Sequence, residues 1–250
     1  METRNGAAPT QSYDPSASPP ADSKASVFED FIDIFHAPSQ VFARRARQGF
    51  GLHMLLVSLL AAAFAFANRG YMTQMFGAEA DRTAAKMMAD NPRITPEMLE
   101  QSRSMQEGAG MVFGYIGTPL IILVMALFAW LLARFVAGAR ISYGQAALIT
   151  TLAWIPRLVG MFVTTVQVAL MDTSTKNGMF DLAVTPARFM DAEASNPKLY
   201  GLAGSFELFS VWSLILIGIG IAVVGNVPRS KGYIAAAILF ILGTIPLLMR

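Results

Sequence analysis

Arg157 is the side chain with the clearest chemical consequence. It follows Trp154–Ile155–Pro156 inside the apolar run Gln145–Met171. An arginine at the centre of a membrane helix costs about 2.5–3.5 kcal/mol to insert, so it should face a bundle interior or a watery cavity. Pro156 has no N–H to give the carbonyl of Leu152, and a nearby guanidinium would suit that freed acceptor. Two readings stay open: Arg157 satisfies the backbone, or it forms an anion or lipid-headgroup site. Glu207, in FELFSVW, is the second polar candidate. A carboxylate at a helix N-terminus is favoured by the helix dipole, which accounts for it locally. Arg44, Arg45 and Arg47 form the third group, placed to contact anionic lipid at about 1 kcal/mol each.

The rest of the inventory removes most chemistry. The chain has no cysteine and two histidines, His36 and His53, so disulfides, thiolate nucleophiles and cysteine-based metal sites are excluded, and no HExxH is present. Glu107 and Asp172 are consecutive acids, and none follows Glu207. The apolar runs therefore lack the carboxylates that intramembrane proteases and proton relays need, and no lysine is there to activate a serine. Catalysis, a cofactor and a metal are not expected. The formal charge of +2 does not point to nucleic acid. Gly218, Gly220 and Gly225 in GIGIAVVG do not fit a nucleotide loop; close helix packing through Gly218 and Ala222, and through Gly110 and Gly114, is the better reading.

These residues need a membrane scaffold. Only 14% of the 250 residues are charged, 54% are hydrophobic, and the mean hydropathy is +0.47. Five apolar stretches, about 50–67, 109–133, 145–171, 208–227 and 232–249, approach or exceed the ~20 residues that cross a bilayer. The expected fold is an all-α polytopic bundle of five transmembrane helices over 50–250. Residues 1–26, rich in Pro, Ser and Ala, read as a disordered tail. Residues 27–49 read as an amphipathic interfacial lead-in: Phe28, Phe31, Ile32 and Phe35 share a helical face, with Glu29, Asp30 and Asp33 off it. Pro38 breaks that helix, and a second one from Ser39 to Gln48 would turn Val41 and Phe42 to the membrane and the arginines to the headgroups. In the first long loop, Thr95–Pro96 reads as a helix start after a break at Asn91–Pro92. Met87, Met88, Met98 and Met105 read as packing residues. Bases cluster in the tight turns at Arg134, Arg140, Arg229 and Lys231 and beside the lead-in, which places these and the N-terminus in the cytoplasm and Arg250 on the far side.

The lead-in FIDIFHAPSQVFARR, the stretch GARISYGQAALITTLAWIP and the segment FELFSVWSLILIGIGIAVV, in this order, resemble the Yip1-domain membrane proteins, with the bacterial members nearest in pattern. The resemblance covers about residues 27–249. It implies a five-span helical membrane protein with a cytoplasmic N-terminus, here in a bacterial inner membrane. The D-L-Y-G-P segment of eukaryotic members is absent, so their small-GTPase partners are not carried over. The functional expectation is a non-catalytic membrane protein that organises protein partners or lipids. Its partners would be the bilayer, anionic lipids at the cytoplasmic face, and other membrane proteins or a second copy of the chain. The alternative is a small-solute, anion or lipid transporter with Arg157 in its site.

Overall fold

The computed structural model describes residues 26–91, 94–174, 176 and 178–248; the expected disordered tail lies outside the described residues except for Ser26, as does Arg250. The described chain is helical. The lead-in forms α1 (Val27–His36) and α2 (Pro38–Arg45), and the main helices are α3 (Gly51–Ala67), α4 (Arg69–Asp90), α5 (Pro96–Phe135), α6 (Tyr143–Ala153), α7 (Ile155–Leu170), α8 (Pro197–Ser205), α9 (Leu208–Val224) and α10 (Arg229–Leu248). A 3-10 turn, Pro186–Phe189, lies between α7 and α8.

Side-chain contacts show alternating helix directions. Phe64 meets Phe162 edge-on and Asn68 donates to Thr165, so α3 and α7 run the same way. The Trp130 indole donates to the Ile141 carbonyl and the Tyr143 hydroxyl to that of Leu123, which fold α5 back along α6. Gly220 sits against Ile149 and Gly160 against Phe209, so α9 returns antiparallel to α6–α7. Helix α10 reverses again: a methyl group on Gly232 would run into the carbonyl of Gly218, and it would lie 3.2 Å from Ala222 Cβ. The glycines of GIGIAVVG thus let α9 approach α10 and α6 closely, as expected of small residues in membrane helices. Gly110 and Gly114 play a milder part, facing Phe76 and Met72 of α4.

Among the described residues, two helical segments, Val112–Phe135 and Tyr143–Leu170, are long and apolar enough to cross a membrane, or up to four if each of two bent pairs makes one span. One bend, 75°, joins α3 to α4 and the other, 54°, joins α8 to α9. Among the described residues, which end at Leu248, the fifth expected crossing, α10, is not one of these spans. Asn68 holds the first bend, its side-chain amide donating to the Phe64 carbonyl and the Thr165 hydroxyl at 2.8 and 2.7 Å. Thr95 caps α5 with Pro96 in its first turn, as the sequence suggests, but that helix then runs unbroken through the expected loop into the span. Met87, Met88 and Met98 are exposed there. Large apolar side chains such as Leu55, Phe113, Ile116, Leu120 and Ile241 point outward, the pattern of a surface that meets lipid rather than water.

Candidate functional site

The lead-in is folded into the bundle. Ser26 caps α1 by accepting from Glu29 N–H, and Ala37–Pro38 turns the chain into α2. Val41 and Phe42, expected at the membrane, are fully buried, as is Ile34. Phe42 packs beside Ile149 in the space that Gly220 leaves open: a methyl group there would meet Ile149 first and lie 3.2 Å from the Phe42 ring. The reason for the difference is that the missing side chain at Gly220 lets the α2 residues reach a protein surface as apolar as lipid.

Asp30 locks this arrangement. Its carboxylate is fully buried. Oδ1 accepts from Arg44 Nε and Nη2 at 2.9 and 2.6 Å, and Oδ2 from Arg45 Nε at 2.7 Å. His53 Nε2, on the first turn of α3, lies 2.7 Å from Oδ2. Asp33 takes the other end of Arg44 at 2.7 Å and also pairs with His36. Burial alone would push the Asp30 carboxyl up; hydrogen bonds from His53, Arg44 and Arg45 outweigh it and hold the group below its ordinary value of 3.8. Arg44 and Arg45 are thus engaged within the protein, and of the three lead-in arginines Arg47 is the exposed one. Asp30, Asp33 and His53 are the residues that sequence reasoning missed. The available signal was a pair of acids on one turn followed 14 and 15 residues later by two adjacent arginines.

Gln145 ties the hairpin to α6. Ser142 and Gln145 form a capping box at the start of α6, and the same glutamine amide donates to the Ala46 carbonyl at 3.1 Å. The S-Y-G-Q segment therefore both starts a helix and holds the end of α2. Arg229 adds a link by donating to the Ser39 hydroxyl at 3.2 Å. Asp30 and Ile34 turn inward and Phe31 and Phe35 pack against the core, while Phe28 and Ile32 stay outward, 73% and 66% exposed.

Arg157 and Glu207 occupy a separate place. The Tyr143–Leu170 segment breaks at Trp154, and Pro156 falls in the first turn of α7, where its missing N–H costs no helix bond. The Arg157 guanidinium does not reach the Leu152 carbonyl. It lies over the Trp154 ring, 4.5 Å from the centroid. Glu207 caps α9, accepting from Phe209 and Ser210 N–H at 3.1 and 2.7 Å, as its position predicts. Its field reaches Arg157, but no ion pair joins them. Trp212 meets Phe35 of α1 edge-on. Among the described residues, no group of three or more His, Asp or Glu is placed to hold a metal ion.

A helical membrane protein is the class that this architecture defines. Residues 32–249 match the Yip1 domain, and the chain belongs to that family. It is also similar to membrane protein YknW of Bacillus subtilis, 24% identical over 152 residues, which is 60% of this chain and 62% of that protein. The match therefore spans less than two thirds of the curated relative. No solved structure matches the chain.

Proposed function

We propose that the chain is a non-catalytic integral membrane protein of a bacterial inner membrane that organises lipids or protein partners at the cytoplasmic face through its docked α1–α2 hairpin. The observation that carries this reading is the apolar strip that docked α1 leaves open: Ile34, Phe31 and Phe35 pack inward, while Phe28 and Ile32 stay exposed. A helix that buries its aspartate in protein and exposes Phe28 and Ile32 is suited to a lipid boundary, where apolar groups need no cover. The alternating directions of α3, α5, α6–α7, α9 and α10 support five crossings with the termini on opposite sides. At the end of the bundle that carries the hairpin, Arg47, Arg134, Arg140, Arg229 and Lys231 are exposed, which favours a cytoplasmic orientation and anionic headgroups.

The chain has no native cysteine, so single probes are easily placed. An environment-sensitive dye on Phe28→Cys or Ile32→Cys of the full-length protein in vesicles should be quenched by brominated lipid. Quenching should be stronger with brominated phosphatidylglycerol than with brominated phosphatidylcholine, and Arg47→Gln should weaken that preference. A dye that neither lipid quenches would defeat the reading.

A further inference from the structure

We infer that Trp154 and Arg157 form an oxyanion-binding site on the side of α7 that meets α9, a reading independent of the hairpin. Three observations carry it. First, the pair holds unspent donors. The indole Nε1 of Trp154, a residue only 9% exposed, and Nε of Arg157 are both buried without a hydrogen-bond partner. Buried donors are nearly always paired, and two orphans in one stacked pair point to an absent acceptor. Second, among the described residues the cation is joined to no carboxylate, and Glu207 acts on it only at a distance. Arg157 is half-buried and its guanidinium is backed by an aromatic face. A charge withdrawn from water is ordinarily paired, and a cation–π contact replaces only part of that. Third, the neighbouring groups are already satisfied. Glu207 spends its oxygens on Phe209 and Ser210 N–H, Leu208 N–H donates to the Val184 carbonyl, and Val211 N–H to that of Glu207. The α9 terminus therefore acts on Arg157 only through the distant Glu207 charge and does not compete for the ligand's oxygens.

The chemistry that fits is a compact anion with several acceptor oxygens, a phosphate group above all. A guanidinium donates in a planar fork matched to two phosphate oxygens, and the indole N–H supplies a further donor beside it. Such a group could come from a phospholipid headgroup or from a soluble phosphate. Glu207 acts against binding through its field alone, so neutralising it should tighten the site.

The test uses full-length protein carrying 5-fluorotryptophan in maltoside micelles, which contain no phosphate. The three tryptophan signals are assigned with Trp154→Phe. The probes are inorganic phosphate and, separately, phosphatidylglycerol. The expected result is a saturable shift of the Trp154 signal with at least one probe. A response to inorganic phosphate identifies a solute site, and a response to phosphatidylglycerol alone identifies a headgroup site. Arg157→Leu should abolish the shift. Arg157→Lys, which keeps the charge and the fold, should weaken binding about tenfold because the fork is lost. Glu207→Gln should strengthen it a few-fold. No saturable shift with either probe, or binding unchanged in Arg157→Lys, would overturn the assignment.

Discussion

Replacing Asp30 with asparagine keeps the side chain's volume and removes its charge, so it isolates the electrostatics of the docked hairpin. The carboxylate holds three guanidinium N–H groups and faces His53 Nε2, all at 2.6–2.9 Å. An asparagine has one acceptor oxygen and would aim an amide N–H at donors on the other side. Arg44 keeps Asp33, whereas Arg45, only 8% exposed, loses its carboxylate. Removing one partner of a buried pair costs about 3–5 kcal/mol, and the relief available to Arg44 places this case near the lower figure, about 3 kcal/mol. Unfolding of the purified protein in maltoside at neutral pH, followed by the tryptophan fluorescence to which Trp212 beside Phe35 contributes, reads the change. The pH dependence has a definite sign. The folded-state carboxyl titrates below 3.8, so its stabilisation is complete above that value and is lost as pH falls through the lower folded-state value. Wild type and Asp30→Asn should therefore converge in acid. The double change Asp30→Leu with Arg45→Met should recover most of the loss, because apolar replacement of a buried pair is often neutral. A loss within about 0.5 kcal/mol for Asp30→Asn, the range of an ordinary surface change, would refute the reasoning.

Other outcomes follow from packing and capping. Gly232→Ala places a methyl group against the Gly218 carbonyl and should cost about 1–3 kcal/mol in the same unfolding assay. Gly243→Ala, with open space around its added carbon, should stay within about 0.5 kcal/mol. Glu207→Ala removes the α9 cap and should cost about 1 kcal/mol, measured by thermal unfolding, while Glu207→Gln should cost less. Asn68→Ala should loosen the bend between α3 and α4, seen as faster proteolysis within α4.

Local signals were legible because they act over a few residues. Thr95–Pro96 opens a helix, Glu207 caps one, and the glycines near 220 mark a close approach; each depends on neighbours or on helical spacing. The membrane character was legible from composition alone. The hairpin's placement was not, because its energetics join residues 14 to 23 positions apart across three helices. Reading α1 by amphipathicity put Phe28, Phe31, Ile32 and Phe35 on one face, but the docked helix divides them: Phe31 and Phe35 pack on the core while Phe28 and Ile32 stay outward. The rule that an aspartate turns to water gives way where two arginines and a histidine satisfy it and lipid can cover Phe28 and Ile32. The helix start at Thr95–Pro96 was legible, but its unbroken run into the span was not, because the shift from polar to apolar residues near 108 marks a change of surroundings and not a helix end.

The central claim is that the lead-in belongs to the bundle, and the link between Arg229 and Ser39, 190 residues apart in sequence, tests it most directly. Ser39→Cys with Arg229→Cys, treated in native membranes with a short bifunctional maleimide, should give an intramolecular cross-link recovered as one joined peptide pair. Both cysteines labelled singly but never joined would show that the hairpin lies away from α10 and would contradict the account.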